Sequence, residues 1–290
     1  KSMKISRRDF LKTTALTSLY FAGFGAHSYA NSGKKKNLVI IMLRGGMDGL
    51  CAIPVKGDKN FEKLRSKINL DRTLKLTSDF DLHPALKTFK NLWDQNLSAA
   101  VHATNIPYTG RSHFDGQNLM ESGGKIPYQE KTGWLGRGMK TAGLTGQGLA
   151  LALPMPLLIR GVPMNNNYFP VGRSLPYPAT LELIKQAYKE HDEKLLSDNL
   201  EIILTRDFNN RSRDDAWILA SSAGTELSKP DGPKVAVFEV DGFDTHAAQG
   251  ATDGAHADCL SDYDNIVRSL KSSMSEEAFN NTLVLTLTEF

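Results

Sequence analysis

Four short apolar segments, each ending in a group of polar residues, constrain the fold of this chain more than any other feature. Residues 37–43 read NLVIIML, 97–104 LSAAVHAT, 234–240 KVAVFEV and 282–288 TLVLTLT. The segments are rich in aliphatic and β-branched residues and do not alternate apolar with polar, which is the pattern of strands covered on both faces. The sequence therefore predicts a sheet buried between two layers of other structure.

Helix-like stretches separate these segments. They are residues 84–95, 113–121, 180–196 and 257–275. Strands and helices that alternate along a chain predict an α/β fold, with a largely parallel central sheet and helices on both faces. Residues 125–180 are rich in proline and glycine, and the whole of 125–233 is predicted to be a cap or insertion with additional helices.

Residues 1–30 have the features of an export signal. Arg7 and Arg8 form a pair, a weakly apolar run follows them, and Ala30 ends a stretch of small residues where a signal peptidase cuts. The segment resembles a twin-arginine signal, which favours export of the folded protein to the periplasm or beyond by the twin-arginine machinery. The alternative is an amphipathic N-terminal helix. The run is too short and polar for a spanning helix, so no stable membrane span is expected after cleavage. Residues 31–290 are predicted to form one α/β domain.

Charge and cysteine content limit which partners and crosslinks are expected. The chain has 35 Lys and Arg against 32 Asp and Glu, and it lacks a basic stripe with interleaved aromatic residues, so no nucleic-acid partner is expected. Cys51 and Cys259 lie far apart and outside any metal-binding spacing, and they are expected to be small buried apolar residues. An exported protein permits a disulfide, but the sequence does not predict whether these two cysteines pair.

Polar residues that follow the predicted strands form the candidate site. They are Asp48, Ser112, His113, Asp115, Asp241, Asp244, His246 and Glu289. Because the carboxyl ends of parallel strands share one edge of a sheet, we expect these side chains to lie close together. Carboxylates mixed with imidazoles suit zinc or a similar divalent ion, and such ions clamp a phosphate or sulfate ester and activate a nucleophile. Asp48 and Ser112 also stand where helix caps occur, and the Gly45–Gly46 pair allows a tight turn.

Three further histidines are assigned no chemical role. His83 precedes a proline at a helix start, where a cap or core contact is expected. His102 is expected to pack inside the strand predicted at 97–104, and His256 is expected to be solvated.

Six motifs occur in an order that resembles a known family. They are LVIIMLRGGMDGL, LHPALKTFKNLW, AAVHATNIPYTGRSHFDGQNLMESG, TGWLGR, VDGFDTHAAQG and TLVLTLTEF. Together they resemble the bacterial twin-arginine-exported family called domain of unknown function 1501, which is similar in fold to the alkaline phosphatase and sulfatase superfamily. The resemblance extends over essentially all of residues 1–290.

The resemblance implies a metal-dependent hydrolase that acts on a small-molecule or glycan ester of phosphate or sulfate. The implied ligands of the divalent ions, zinc or similar, are Asp48, Asp241, Asp244, His246 and Glu289. Glu289 occupies the position where the superfamily usually has an aspartate followed by histidine, and Phe290 departs from that pattern. The family continues into a Gly-Arg and an Asp-His-Gly segment that supply further ligands, so the chain is expected to be a C-terminally truncated fragment.

The resemblance also implies where the nucleophile lies. Ser112 is the preferred nucleophile and Thr109 the second choice, while Arg111 and the start of a helix would favour an anionic ester there. The alternative is a non-catalytic protein on the same fold that binds a glycan or an envelope partner, and a structural subunit of an exported assembly remains open as well.

Overall fold

A parallel sheet forms the centre of the protein, and its strand order differs from the chain order. The computed structural model describes residues 35–290 except 69, 152–154, 168–177, 192–193, 195, 199 and 201–215. The sheet strands are β1 Asn37–Leu43, β4 Gly148–Leu151, β5 Asn166–Asn167, β6 Val235–Val240 and β7 Thr282–Thr288. Their order across the sheet is β5-β4-β6-β1-β7, and each neighbouring pair is parallel. A small antiparallel pair joins β2 Leu74–Lys75 to β3 Asp81–Leu82.

The helices surround this sheet. They are α1 Gly49–Ala52, α2 Lys59–Leu64, α3 Lys87–Asp94, α4 His113–Ser122, α5 Trp134–Thr141, α6 Pro178–Glu190, α7 Ala216–Ser228, α8 Ala255–Ser273 and α9 Glu276–Asn280. The stretches predicted as helices are confirmed as α3, α4, α6 and α8, with their ends displaced by a few residues. The signal predicted for residues 1–30 lies outside the described residues, while residues 36–290 form one compact unit.

Alternate residues of the central strands pack against helices on opposite faces. On one face Val39 and Ile41 of β1 belong to a cluster with apolar residues of α3, α7 and α8. On the other face Ile40 and Met42 pack with residues of α4 and α5. All four β1 side chains have no exposed surface, and burying each contributes about 1.5–3 kcal/mol. The prediction of an α/β fold with a parallel sheet between two helical layers is thereby confirmed.

The region 125–233 takes part in the sheet. It supplies β4, which pairs with β6 between Gly148–Val235 and Leu151–Phe238, and it supplies the short edge strand β5. It also supplies α5 and α7, which cover opposite faces of the sheet. This region therefore contributes to the core that positions the candidate site.

The strand predicted at 97–104 is wrong for this structure. The segment has no regular structure, and the exposed fractions of Leu97 and Val101 are 54% and 79%. Ala103 has a φ of 54°, which interrupts the extended backbone. Strand propensity describes how well a residue fits a pleated and half-buried surface, and this segment pairs with no strand in the described part of the chain.

Candidate functional site

Three neighbouring strands bring their polar ends together at one edge of the sheet. Because β6, β1 and β7 are adjacent and parallel, the residues that follow them share the carboxyl edge, beginning with Asp241, Arg44 and Glu289. The helix α4 joins them, since His113 Nδ1 lies 3.0 Å from Glu289 Oε1. The expected convergence of the strand ends is confirmed for these three strands.

Glu289 is the most deeply buried member of this edge. Its Oε1 accepts hydrogen bonds from the backbone nitrogens of Gly45 and Gly46 at 2.8 and 3.0 Å. It also lies 3.0 Å from Gln117 Nε2 and from His113 Nδ1. Burial acts to raise the pKa of Glu289, but these donors outweigh it and the pKa lies below its ordinary value. Glu289 is therefore a buried carboxylate that ties β7 to the turn after β1 and to α4.

The bond to Glu289 determines how His113 presents its ring. A carboxylate accepts hydrogen bonds, so Nδ1 carries a proton towards Glu289, and Nε2 is the ring nitrogen that faces Asp244. That Nε2 lies 3.5 Å from Asp244 Oδ1, and His246 Nε2 lies 3.1 Å from the same oxygen. We call His113, Asp244 and His246 the Asp244 cluster. The exposed fractions of their side chains are 27%, 42% and 83%, so the cluster opens to solvent.

A second polar group, formed around Arg44, orients the Gln117 side chain that donates to Glu289. Gln117 Oε1 accepts a hydrogen bond of 3.0 Å from Arg44, so its amide is oriented with Nε2 towards Glu289. Arg44 also pairs with Glu121 at 2.8 Å and with Glu239. Burial acts to lower the pKa of Arg44, but the two carboxylates outweigh it and raise the pKa. Burial raises the pKa of Glu239 despite this ion pair. A continuous polar network thus extends from the core to the Asp244 cluster.

Asp48 is held by partners outside this network. Its Oδ1 accepts from the backbone nitrogen of Cys51 at 3.2 Å and caps α1, while Oδ2 accepts from Gln249 Nε2 at 2.9 Å and pairs with Arg65. Burial acts to raise the pKa of Asp48, but the bonds from Arg65 and Gln249 outweigh it and lower the pKa. Asp241 is exposed, and no described contact joins it or Asp48 to the Asp244 cluster.

The predicted nucleophile segment lies at the start of α4. Ser112 Oγ accepts from the backbone nitrogen of Asp115 at 3.2 Å, so Ser112 is the N-cap of this helix. The Tyr108 hydroxyl donates to Asp115 Oδ2 at 3.2 Å and lies 3.4 Å from the Ser112 nitrogen. Thr109 and Arg111 are exposed, and neither makes a hydrogen bond within the described ranges. Ser112 therefore lies at the N-terminus of α4, directly before His113 and at the edge of the site.

His256 is buried, and the expectation that it is solvated is wrong. Its exposed fraction is 1%, and its ring lies 5.7 Å from the Phe243 ring and 6.3 Å from the His83 ring. The first turn of α8 carries it inward, beneath the loop that follows β6. Neither ring nitrogen has a hydrogen-bond partner in the described structure, and burial lowers its pKa to about 4. His83, by contrast, is confirmed as a core contact because it has no exposed surface, and its Nδ1 accepts from the Ala85 nitrogen at 3.1 Å.

The buried His256 predicts a loss of stability in mild acid. Its pKa is about 4 in the folded protein and about 6.5 when unfolded, so the unfolded chain binds more protons between these values. The free energy of unfolding should fall by about 2–3 kcal/mol as the pH drops from 7 to 4. Urea unfolding at both pH values should show a smaller fall in the free energy of unfolding for His256→Leu than for the wild type. The variant His191→Ala, which changes an exposed histidine, should retain the wild-type dependence on pH. An equal fall in wild type and His256→Leu would contradict the assignment.

The supporting residues on α4 follow a spacing that the sequence analysis overlooked. His113, Gln117 and Glu121 stand at i, i+4 and i+8, so they share one face of the helix. Arg44 follows β1 directly, where the chain enters the carboxyl edge. A polar stripe on a helix beside a buried strand end was the signal that could have indicated this network.

No family model, curated protein or solved structure compared with this chain matches it. In the part of the chain that the structure describes, no three or more His, Cys, Asp or Glu side chains stand as a ready group for a metal ion. Within the same residues, no helix has the length and apolar character needed to cross a membrane. The function is therefore argued from the geometry of the carboxyl edge.

Proposed function

We propose that the protein is an exported hydrolase of phosphate or sulfate esters, with an alkaline-phosphatase-like or sulfatase-like fold, and that the Asp244 cluster binds a divalent ion. One observation supports this most directly. The Nε2 atoms of His113 and His246 lie 3.5 and 3.1 Å from the same oxygen of Asp244. Ligand atoms around a tetrahedral zinc ion are separated by about 3.3 Å, so these pairs have the spacing of neighbouring ligands.

The orientation of His113 also supports a cation at this point. The hydrogen bond from Nδ1 to Glu289 turns Nε2 of His113 towards the Asp244 carboxylate. A divalent ion could take Nε2 and the Asp244 oxygen together as ligands. Metal-binding histidines commonly donate their other ring nitrogen to a carboxylate in this way. Glu289 would then orient a ligand instead of being one.

The predicted pair of metal ions fits the described residues less well than a single ion does. Asp48 already pairs with Arg65 and Gln249, and Glu289 Oε1 already has four donors. Asp241 is exposed and its role as a ligand stays a prediction. We therefore propose zinc or a similar ion at His113, Asp244 and His246, where the largely exposed His246 can rotate into place.

The start of α4 would supply the rest of the chemistry. A bound divalent ion would polarise an ester oxygen and stabilise the negative charge that develops on it. The N-terminus of α4 and the exposed Arg111 favour the anionic group of a phosphate or sulfate ester. Ser112 offers a hydroxyl at this position, and Thr109 is the alternative nucleophile.

Titration of the full chain with zinc tests the metal site. We expect one equivalent to bind, and we expect His113→Ala and Asp244→Asn each to weaken binding by more than about 100-fold, the upper end of the loss when only a hydrogen-bond partner of a ligand is removed. The exposed His191→Ala is the matched control and should bind zinc like the wild type. Zinc affinity that is unchanged in both cluster variants would refute the site.

A non-catalytic function on the same fold is the second candidate. It is favoured by the engagement of Asp48 with Arg65 and by the complete burial of Glu289, because neither carboxylate is presented to a substrate. Under this alternative, the exposed end of the edge would bind a glycan or an envelope partner without turnover.

Ser112→Asn separates the two candidates. Asparagine preserves the N-cap of α4 but removes the nucleophilic hydroxyl, so the variant should unfold like the wild type and lose hydrolysis of aryl phosphates and sulfates. Ser112→Ala should lose hydrolysis and also about 1 kcal/mol of stability. Absence of turnover in the zinc-loaded wild type, with retained glycan binding, would favour the non-catalytic protein.

A further inference from the structure

We propose that the groove between α3 and α8 binds a saccharide that carries sulfate or phosphate groups. The groove has a volume of about 800 Å³, which lies within the range of pockets that hold small molecules. Its two helices lie on the same face of the sheet, because Leu92 of α3 and Leu270 of α8 belong to one apolar cluster. The residues of the Asp244 cluster do not line this groove, so the proposal does not depend on the chemistry proposed for the carboxyl edge.

A buried carboxylate joins the two walls of the groove. Asp264 of α8 has an exposed fraction of 6%, and both of its oxygens accept from the backbone nitrogen of Thr88 at 2.9 Å. Its Oδ1 also accepts from the backbone nitrogen of Phe89 at 3.1 Å. These bonds satisfy the first turn of α3, and the partial positive charge of that helix end offsets the carboxylate. The charge of Asp264 is therefore already compensated within the protein.

Cationic side chains from both helices line the groove without a carboxylate partner in the described part of the chain. Lys87 comes from the start of α3, and Arg268 and Lys271 come from the second half of α8. Lys87 and Arg268 are exposed, and neither side chain makes a hydrogen bond or ion pair with a described residue. The Nζ of Lys271 lies 5.3 Å from the centroid of the Phe279 ring, a contact that leaves its charge without a counter-ion. Arg268 and Lys271 share one side of α8, since they stand one turn apart.

The other acidic side chains of the groove do not neutralise these cations. Asp253 pairs with Arg72 at 2.7 Å, so these two charges offset each other. Asp258 is exposed, and about 15 Å of helix separates it from Arg268. The groove therefore retains an excess of positive charge, which favours a ligand with anionic groups.

Hydroxyl and amide side chains form much of the uncharged lining. Thr88 and Asn91 come from α3, and Ser261, Asn265 and Ser272 come from α8. The two serine hydroxyls donate to backbone carbonyls one turn earlier in α8, so their lone pairs stay available to accept from a ligand. Groups of this kind bond to the hydroxyls of a sugar, while lysine and arginine bind its anionic groups.

The same lining disfavours other classes of anionic ligand. Its apolar side chains are the small Pro84, Ala85 and Ala257, and no aromatic residue stands among the described residues that line it. A lipid needs an apolar surface for its chains, a single-stranded nucleic acid uses aromatic platforms, and a peptide uses large apolar anchors. A saccharide with sulfate or phosphate groups needs none of these, so it fits the groove best.

Calorimetric titration of the full chain tests the groove with two probes, a heparin-derived tetrasaccharide and a phosphorylated mannose oligosaccharide. Lys87→Gln and Arg268→Gln should each weaken binding of the preferred probe by about tenfold, as expected when a hydrogen bond to a charged group is lost. Both variants should unfold in urea like the wild type, because the two side chains are exposed. Lys140→Gln, an exposed position of α5 on the opposite face of the sheet, is the matched control and should bind like the wild type. Equal losses in all three variants, or no binding of either probe, would overturn the proposal.

Further comparisons separate this ligand class and this site from the alternatives. A desulfated tetrasaccharide should bind at least about tenfold more weakly than the sulfated one, because the cations lose their partners. A hexaglutamate peptide or a hexathymidylate that binds the groove as tightly as the saccharides would refute the saccharide assignment. Asp244→Asn should bind the saccharide like the wild type, so failure of the proposed zinc site leaves this result unchanged. Loss of saccharide binding in Asp244→Asn would place the ligand at the carboxyl edge and refute the groove.

Discussion

Glu289→Ala should lower the free energy of unfolding by about 3–5 kcal/mol, the range seen when one partner of a buried charged group is removed. The carboxylate has no exposed surface, and one of its oxygens serves four donors. Alanine would leave the backbone nitrogens of Gly45 and Gly46 without that acceptor, together with the side chains of Gln117 and His113. Because these donors belong to the turn after β1 and to α4, the loss should appear as reduced stability of the whole domain in urea unfolding.

Two further variants make this expectation specific. Glu289→Gln keeps an acceptor of similar shape without the charge, so about 1–3 kcal/mol should be lost. Glu130→Gln changes the same chemical group on an exposed side chain and should alter stability by less than about 0.5 kcal/mol. A loss below 1 kcal/mol for Glu289→Ala would show that the four donors find other partners.

The strands and helices of the core were predictable because burial leaves a pattern in the sequence. Residues 37–43 are apolar without alternation since both of their faces meet helices, and the same holds for 234–240. Because parallel strands end at a common edge, the convergence of Arg44, Asp241 and Glu289 followed once the strands were identified. Local pattern and general topology thus sufficed to place these three strand ends at one edge of the sheet.

The partners of the polar residues were not predictable from local pattern. Asp48 pairs with Arg65, 17 residues away, and with Gln249, 201 residues away, and nothing near Asp48 in the sequence identifies either partner. The donors to Glu289 likewise come from two distant segments of the chain. A carboxylate at a strand end can bind a metal, cap a helix or anchor a turn, and only the three-dimensional arrangement of donors distinguishes these roles.

Residues 97–104 show the opposite failure, in which local preference pointed to a strand that the described structure lacks. LSAAVHAT has a strand-like composition, but a strand also needs a hydrogen-bonded neighbour and a covered face. The error therefore identifies a segment whose intrinsic preference and observed conformation disagree.

Gly45→Ala should destabilise the protein by about 3–5 kcal/mol, through backbone strain and overpacking together. Gly45 has a φ of 110°, and a Cβ there would overlap the backbone nitrogen of Asp244 and come within 3.0 Å of the Asp244 Cβ. Backbone atoms cannot rotate away as a flexible side chain does, so the turns after β1 and β6 would have to separate. Asp244 would move with its turn, so the variant should also bind zinc more weakly if the proposed site is correct.

Gly57→Ala distinguishes the clash at Gly45 from the cost of a positive φ. Gly57 has a φ of 71°, but a Cβ there would meet no atom within 4 Å, so its substitution should cost only about 1–2 kcal/mol. The difference between the two variants in urea unfolding then measures the close approach of the two turns. Equal losses would mean that the strand ends at Gly45 and Asp244 separate at little cost. Because the carboxyl edge can orient His113 and Asp244 only if those turns stay in contact, this comparison tests directly whether the edge is rigid enough to hold a site.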